Sequence, residues 1–356
     1  MGGDSLFFDY LCSRKQQKPF QLSTMNYKRI LSFLLLLVVA EPVVAQSHDK
    51  VVRKRIDSLI TARYFSGDYD TAYIGRPRER LTLKLRGNLS GSNFDIDRRI
   101  EGAVGRSRLG TDHKATVSIG ANYRGITAGL ALNPASLSGR NKDYELNLNA
   151  YTNRYGIDVI YQASKTLSGN MTFNGTDLFL EKGMADMQVL NINGYWAFSG
   201  SRFSYPAAFT QSYIQKHSAG SWLAAFSYMG GRVKTTDIKF ADTPDYRVFV
   251  GHFALGGGYG YNFMLHKRLL VHLSFLPTLV VLNLNNIRID GEKFNMRTRF
   301  PDFIFTERAA IVYYFSPKYF TGATFVTSSS LLNDRRIDIN YRKWRLRVFL
   351  GLRLWR

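Results

Sequence analysis

Apolar and polar side chains alternate in a series of segments of about ten residues that follow one another along most of the chain. The clearest of them, residues 81–86, reads Leu-Thr-Leu-Lys-Leu-Arg. A two-residue period puts alternate side chains on opposite faces, which is typical of a β-strand with one apolar face. The pattern predicts twelve strands, at 80–90, 115–124, 125–133, 143–153, 155–163, 187–198, 219–229, 249–263, 269–283, 303–315, 319–328 and 339–355.

The connections between these segments alternate between short and long. Short turns at one end and long loops at the other are typical of a transmembrane β-barrel, whose strands need about nine to eleven tilted residues to cross a bilayer. A barrel in lipid must also close, because an open edge would leave backbone groups unpaired. We therefore predict an all-β fold, a transmembrane antiparallel β-barrel of about twelve strands. A soluble secreted β-sandwich or a lipocalin-like barrel shows the same alternation and is the alternative.

The N-terminal region does not alternate. Residues 25–45 have a positive start, an apolar core and small residues before a cut, so they predict a signal peptide cleaved after Ala45. We expect 1–24 to be a mis-called upstream extension, 46–79 to be a short periplasmic helix and linker, and 80–356 to be the barrel. Together with the strand pattern, the signal peptide predicts an outer-membrane location.

Composition excludes several classes of protein. The chain has 48 basic and 27 acidic residues, a net charge of +21, and 14% aromatic residues. Charged residues make up 21% of the chain, which excludes a mainly disordered protein. No uninterrupted apolar run is long enough for a membrane helix. The single cysteine, Cys12, lies before the expected cleavage point, so we expect no disulfide in the mature protein.

Charged residues occupy the polar positions of several predicted strands. If the apolar positions face lipid, these charges face the lumen, because a cation on the lipid side costs about 2–4 kcal/mol near the bilayer midplane. One basic patch on the first and last strands is therefore predicted, with acidic counterparts on the fourth and fifth. The patch comprises Lys84, Arg86, Lys343, Arg345, Arg347 and Arg353, and the counterparts are Glu145 and Asp158. A basic lumen favours anionic solutes, whereas a lumen filled by ion-paired side chains would be closed.

One connection, 199–218, carries a distinctive sequence. It contains Arg-Phe-Ser-Tyr-Pro-Ala-Ala-Phe from 202 and Gln-Ser-Tyr-Ile-Gln-Lys-His-Ser-Ala-Gly-Ser from 211. These motifs resemble the central signature of domain of unknown function 4421, an uncharacterised secreted family of Bacteroides-type Gram-negative bacteria. The stretches 69–74 and 83–90 are similar to its opening. The resemblance covers about 60–356 and implies an outer-membrane-type barrel with no established activity. The matching central positions are Phe203, Ser204, Ala208, Gln211, Gln215, Lys216, Ser218, Gly220 and Ser221.

Counting strands from a periplasmic N-terminus, we expect the 199–218 connection to lie on the periplasmic side. We expect a short helix over Ala207–Lys216, after Pro206. The segment is either a plug or docking surface for a periplasmic partner, or a folded turn that caps the barrel mouth.

Three functions follow from these features: a pore with a basic lumen for anionic solutes, a plugged structural or partner-binding barrel, and an outer-membrane lipid hydrolase using His217 with Ser218 or Ser221. The histidines show no metal-ligand spacing, and we predict no cofactor and no enzyme. Expected partners are outer-membrane lipid or lipopolysaccharide, anionic small solutes and an envelope protein, but no nucleic acid. The residues expected to bind lipopolysaccharide phosphates are Arg98, Arg99, Arg106, Arg108, Lys114, Arg140 and Lys142.

Overall fold

The computed structural model describes residues 69–79, 81–100, 103–123, 126–132, 143–173, 175–235, 246–289, 292–294, 301–333 and 337–354. The predicted upstream extension, signal peptide and N-terminal helix lie outside these residues, as do Arg140 and Lys142. Within the described ranges no helix has both the length and the apolar character required to cross a membrane.

Strands dominate the described part of the chain. The single helix described there is α1 (Tyr205–Phe209). The strands in chain order are β1 (Ile74–Gly75), β2 (Leu81–Ile100), β3 (Ala103–Gly110), β4 (Lys114–Tyr123), β5 (Ile126–Leu132), β6 (Tyr144–Tyr151), β7 (Tyr155–Ser164), β8 (Ser168–Phe173), β9 (Thr176–Leu180), β10 (Ala185–Ala197), β11 (Ile214–Gln215), β12 (Ala219–Thr235), β13 (Tyr246–His266), β14 (Leu269–Asn283), β15 (Asn286–Ile289), β16 (Glu292–Phe294), β17 (Phe303–Tyr314), β18 (Tyr319–Asn333) and β19 (Ile337–Leu354).

Twelve of the described strands form an antiparallel barrel, in the order β2, β4, β5, β6, β7, β10, β12, β13, β14, β17, β18 and β19. The ring closes because β19 pairs with β2 along its whole length. The shortest ladder joins β5 to β6 through one described residue pair, Ile126 and Ala150. The prediction of an all-β antiparallel barrel of about twelve strands is confirmed.

The two ends of the barrel differ in their connections. At one end, which we call the turn end, adjacent strands are joined by the short stretches 124–125, 152–154, 267–268 and 315–318, and by 198–218. The opposite end, the loop end, carries three hairpins. There β3 pairs with β2 and β8, β9 pairs with β8, and β15 pairs with β13 and β16.

The prediction that 91–114, 164–186 and 284–302 are only connections is therefore wrong. The first strand was predicted to end at residue 90, but β2 continues to Ile100. The two-residue period persists there, with Phe94 partly buried and Asp95 exposed. The beginning of β19 supplies the backbone partners that keep this part of β2 extended.

The alternation separates an apolar exterior from a largely polar interior. Outward side chains such as Ile119 (65% exposed) and Leu350 (58% exposed) leave a wide apolar surface uncovered. Aromatic side chains surround its turn-end border, and Tyr155 stacks on Trp196 with ring centroids 6.1 Å apart. The exposed members of this border are Tyr155, Trp196, Phe198, Trp222, Tyr313, Phe315 and Tyr319.

Candidate functional site

The connection between β10 and β12 turns inward and fills the turn end of the barrel. We call residues 203–215 the plug. The helix α1 begins after Ser204, whose Oγ accepts a hydrogen bond from Ala207 N at 3.3 Å, and Pro206 occupies its first turn, where proline is favoured. The helix ends before Gln211, which has φ of 54°, a value that disfavours further helix. The predicted helix at 207–216 is therefore wrong in position, because the cap and the proline start it earlier.

Cations from the first and last barrel strands hold the plug. Lys84 on β2 donates from Nζ to Gln211 Oε1 at 2.6 Å and also to the Thr210 carbonyl. Arg353 on β19 donates from Nη2 to the Gln211 carbonyl at 3.3 Å. The positive φ of Gln211 turns its carbonyl and side chain toward these two strands. The plug thus spans the junction at which the barrel closes.

Gln215 is the centre of the buried hydrogen bonds in the plug. Its Oε1 accepts from Ser204 N and from Asn262 Nδ2, each at 2.9 Å. Its Nε2 donates to the carbonyls of Arg202 at 2.7 Å and His217 at 2.9 Å. One side chain therefore joins both ends of the plug to barrel strand β13.

Aromatic rings fill the space beside α1. Tyr205 stacks on Tyr195 at 4.3 Å and on Phe209 at 5.1 Å, and its hydroxyl lies 2.9 Å from Ser274 Oγ. Burial raises the pKa of Tyr205, although the nearby Arg308 guanidinium opposes that effect. The neutral phenol therefore persists at ordinary pH, as the buried stack requires.

The nine positions that resemble the family signature have separate roles. Phe203, Ser204, Ala208, Gln211 and Gln215 are buried in the plug. Outside it, exposed Lys216 donates from Nζ to the Thr71 carbonyl at 2.7 Å. Three further positions fix the start of β12: Ser218 Oγ accepts from Met264 N, Ser221 Oγ accepts from Ser199 N, and Gly220 leaves room for Tyr259.

Above the plug, the lumen contains a charged layer. This layer consists of Lys114, Glu145, Asp158, Arg308, Lys343, Arg345 and Arg347. Arg308 Nη2 lies 2.7 Å from Asp158 Oδ2. Lys343 Nζ and Arg345 Nη1 lie 3.2 Å and 3.9 Å from the two oxygens of Glu145.

The predicted basic patch divides into two groups. Lys84 and Arg353 bind the plug, whereas Lys343, Arg345 and Arg347 lie in the charged layer, where Arg347 Nε donates to Asn88 Oδ1 at 2.8 Å. The basic residues of the first and last strands therefore have two sets of partners, one in the plug and one in the charged layer. Arg86 is buried between these groups.

Sequence reasoning missed two cations of the charged layer. Arg308 lies at an inward position of β17, between Thr306 and Ala310. The alternation of this segment was sufficient to predict that position. Lys114 was predicted to bind lipopolysaccharide from a loop, but it begins β4 and is buried in the lumen. The strand starts one residue earlier than predicted.

The other expected lipopolysaccharide contacts lie elsewhere. Arg98 belongs to β2, as does Arg99, and Arg106 and Arg108 belong to β3. Arg106 Nε lies 3.1 Å from Asp97 Oδ1 in an exposed ion pair. These residues are on a hairpin rather than in a loop.

A polar cavity of about 50 Å³ lies within the charged layer. Arg308, Lys343, Arg345 and Arg347 line it, opposite Asp158. That volume holds a few water molecules or one small ion, since a single water needs roughly 10–15 Å³. The cavity is therefore large enough for a small ion but not for a larger solute.

The residues considered for lipid hydrolysis are not brought together. His217 packs its ring against Tyr73, with centroids 5.8 Å apart, whereas Ser218 and Ser221 bind backbone amides. Within the described ranges no cluster of His, Cys, Asp and Glu could hold a metal ion.

The first prediction concerns Gln215. We expect Gln215→Ala to lower the free energy of unfolding by about 2–4 kcal/mol, because buried partners at both ends of the plug lose their hydrogen bonds. The measurement is a urea titration of the refolded barrel. Lys216→Ala removes an exposed neighbouring side chain and serves as control, with a small expected effect. Equal effects of the two substitutions would contradict the role assigned to Gln215.

A second prediction concerns the Arg308–Asp158 pair. Asp158→Asn leaves a buried guanidinium without its counter-charge, which we expect to cost about 3–5 kcal/mol in the same titration. Arg308→Met combined with Asp158→Leu should restore most of this loss. The exposed pair of Arg106 and Asp97 provides the control, because Asp97→Asn should lower the free energy of unfolding by only about 0–1 kcal/mol. A double variant no more stable than Asp158→Asn would refute this account.

Comparison with curated proteins gave no match. Among solved structures, the fold aligns with the outer membrane protease OmpT from Escherichia coli at 10% identity and a TM-score of 0.42, covering 78% of this chain and 97% of that one. The translocator domain of the autotransporter NalP from Neisseria meningitidis aligns at 11% identity and 0.32, covering 76% and 88%. The outer membrane protein OprG from Pseudomonas aeruginosa aligns at 11% identity and 0.27, covering 79% and 99%.

One of these similarities corrects a prediction. The prediction that the chain is not an enzyme loses its support, because a protease is among the structures with which the fold aligns. The similarity is one of fold and assigns no activity to this chain.

The family is settled by a sequence model that matches residues 68–353, nearly the whole of the described barrel and its plug. The chain belongs to the family described as Domain of unknown function (DUF4421).

Proposed function

We propose that the chain is an outer-membrane β-barrel that is closed at its turn end and acts as a structural or partner-binding protein of the cell envelope. The observation that carries this proposal is the plug, which is bonded to strands around the barrel: β2, β13, β14 and β19. The cross-lumen pairs of the charged layer narrow the lumen above the plug. The Bacteroides-type origin and the signal cleavage after Ala45 stay predictions.

The exterior supports the membrane location. An uncovered apolar surface with an aromatic border is typical of a barrel surrounded by lipid. Glu307 is exposed on that surface, and an acidic side chain costs less there than a cation does. Counting strands from a periplasmic N-terminus, we infer a periplasmic position for the plug, where it would meet a periplasmic partner.

Anion binding is a second candidate function, supported by the charge of the lumen. The inward cations Lys84, Arg86, Lys114, Arg308, Lys343, Arg345, Arg347 and Arg353 face the acidic Glu145 and Asp158. Such an excess raises the local concentration of anions. In this candidate the plug moves and the charged layer selects anionic solutes.

The membrane location predicts a depth-dependent cost for outward arginine. We expect Val348→Arg, midway along the outward face of β19, to lower the stability of the barrel in lipid vesicles by about 2–4 kcal/mol. Leu331→Arg, near the loop end of β18, should cost about 0–1 kcal/mol. Equal small costs at both positions would argue for a water-exposed exterior.

The closed lumen predicts a silent protein in a planar bilayer. The wild type should insert without conducting, whereas Lys84→Met combined with Arg353→Met should open stepwise, because the plug loses its cationic anchors. Those openings should favour anions, since the charged layer is unchanged. Lys216→Met is the matched control and should stay silent. A conducting wild type, or a correctly inserted double variant that never opens, would count against the closed-barrel proposal.

A further inference from the structure

On the loop-end side of the charged layer, the lumen changes from polar to apolar. Inward side chains from β2, β10, β12, β13 and β19 line a partly open cavity of about 120 Å³. Its walls include Val189, Met229, Val233, Val250 and Ile339. Several of these residues belong, together with Tyr341, to one buried apolar cluster.

An apolar cavity is unusual at this position. The interior of membrane barrels is polar, and apolar interiors are normally packed without large voids. In an engineered protein, a dry apolar cavity of about 150 Å³ takes up benzene or xenon and excludes water. A cavity of similar size here is suited to an apolar group of a ligand.

Cations lie directly beneath this cavity. Tyr341 and Lys343 occupy successive inward positions of β19, about 6.6 Å apart along the strand. Phe94 packs on Tyr341 with ring centroids 4.5 Å apart and marks the same level on β2. Lys114 is buried, and its Nζ has no hydrogen-bond partner among the described residues.

We propose that the cavity binds the alkyl chain of a single-chain anionic amphiphile, such as a short fatty acid. The chain occupies the apolar cavity, and the carboxylate faces Lys343 and Lys114. The site requires both features, because an alkyl chain needs the apolar walls and a carboxylate needs the positive charge below them. This binding does not depend on whether the barrel conducts ions.

The test uses 8,8,8-trifluorooctanoate as the probe and the full barrel in lipid nanodiscs. Fluorine NMR separates saturable binding from partition into lipid, which empty nanodiscs measure. Gly231 lines the cavity, and a Cβ built on it meets its nearest neighbour, Val189 Cγ2, at 3.5 Å, an ordinary contact. We expect Gly231→Leu to fill the cavity and weaken binding at least tenfold.

Two controls separate the apolar and ionic parts of the site. Gly87→Leu adds the same side chain on the outer face of β2, where a Cβ has open space, and should bind like the wild type. Lys114→Met should weaken the fluorinated acid several-fold and leave trifluorooctanol unchanged. If Gly231→Leu does not fold, Val250→Phe reduces the same cavity from β13. Saturable binding that survives cavity filling, or no saturable binding to the wild type, would overturn the proposal.

Discussion

Buried positive charge is the constraint on which the interior of this barrel depends. A two-residue period forces every second side chain of each barrel strand into the lumen, and many of these are lysine or arginine. Such a group is tolerated only when a counter-charge or hydrogen-bond acceptor lies within reach. In the middle of the lumen, Glu145 and Asp158 supply the counter-charges. At the turn end, the carbonyls and the side-chain amide of the plug accept hydrogen bonds from Lys84 and Arg353.

This division explains why the plug is more than a turn. Gln211 adopts a positive φ that non-glycine residues rarely adopt, and the conformation directs its carbonyl to Arg353 and its side chain to Lys84. Gln215 fixes the opposite end of the plug against β13. The plug is therefore the set of acceptors that the inward cations of the first and last strands require. Above the charged layer such acceptors are not needed, and the lumen becomes apolar.

The sequence was sufficient to predict the strands but not to predict which side chains meet across the lumen. Alternation predicted that Lys343 and Glu145 face inward, yet it carries no information on which strands meet across a closed ring. Their contact joins residues 198 positions apart and depends on the register of every intervening pair. The extension of β2 was missed for a related reason: the predicted strand ended at residue 90, whereas pairing with β19 keeps the following residues extended.

Closure of the barrel and the ordering of the plug depend on each other. It is continuous with β10 and β12, so its contacts with β13 need only local pairing. Its contacts with Lys84 and Arg353 exist only once β19 has met β2, the pairing most distant in sequence, and such distant contacts carry the largest loop-closure cost. The two cations are brought together by closure and share Gln211 as acceptor. We therefore expect closing the ring and seating the plug to be one cooperative step, in which the plug supplies hydrogen-bond acceptors to the cations that closure buries.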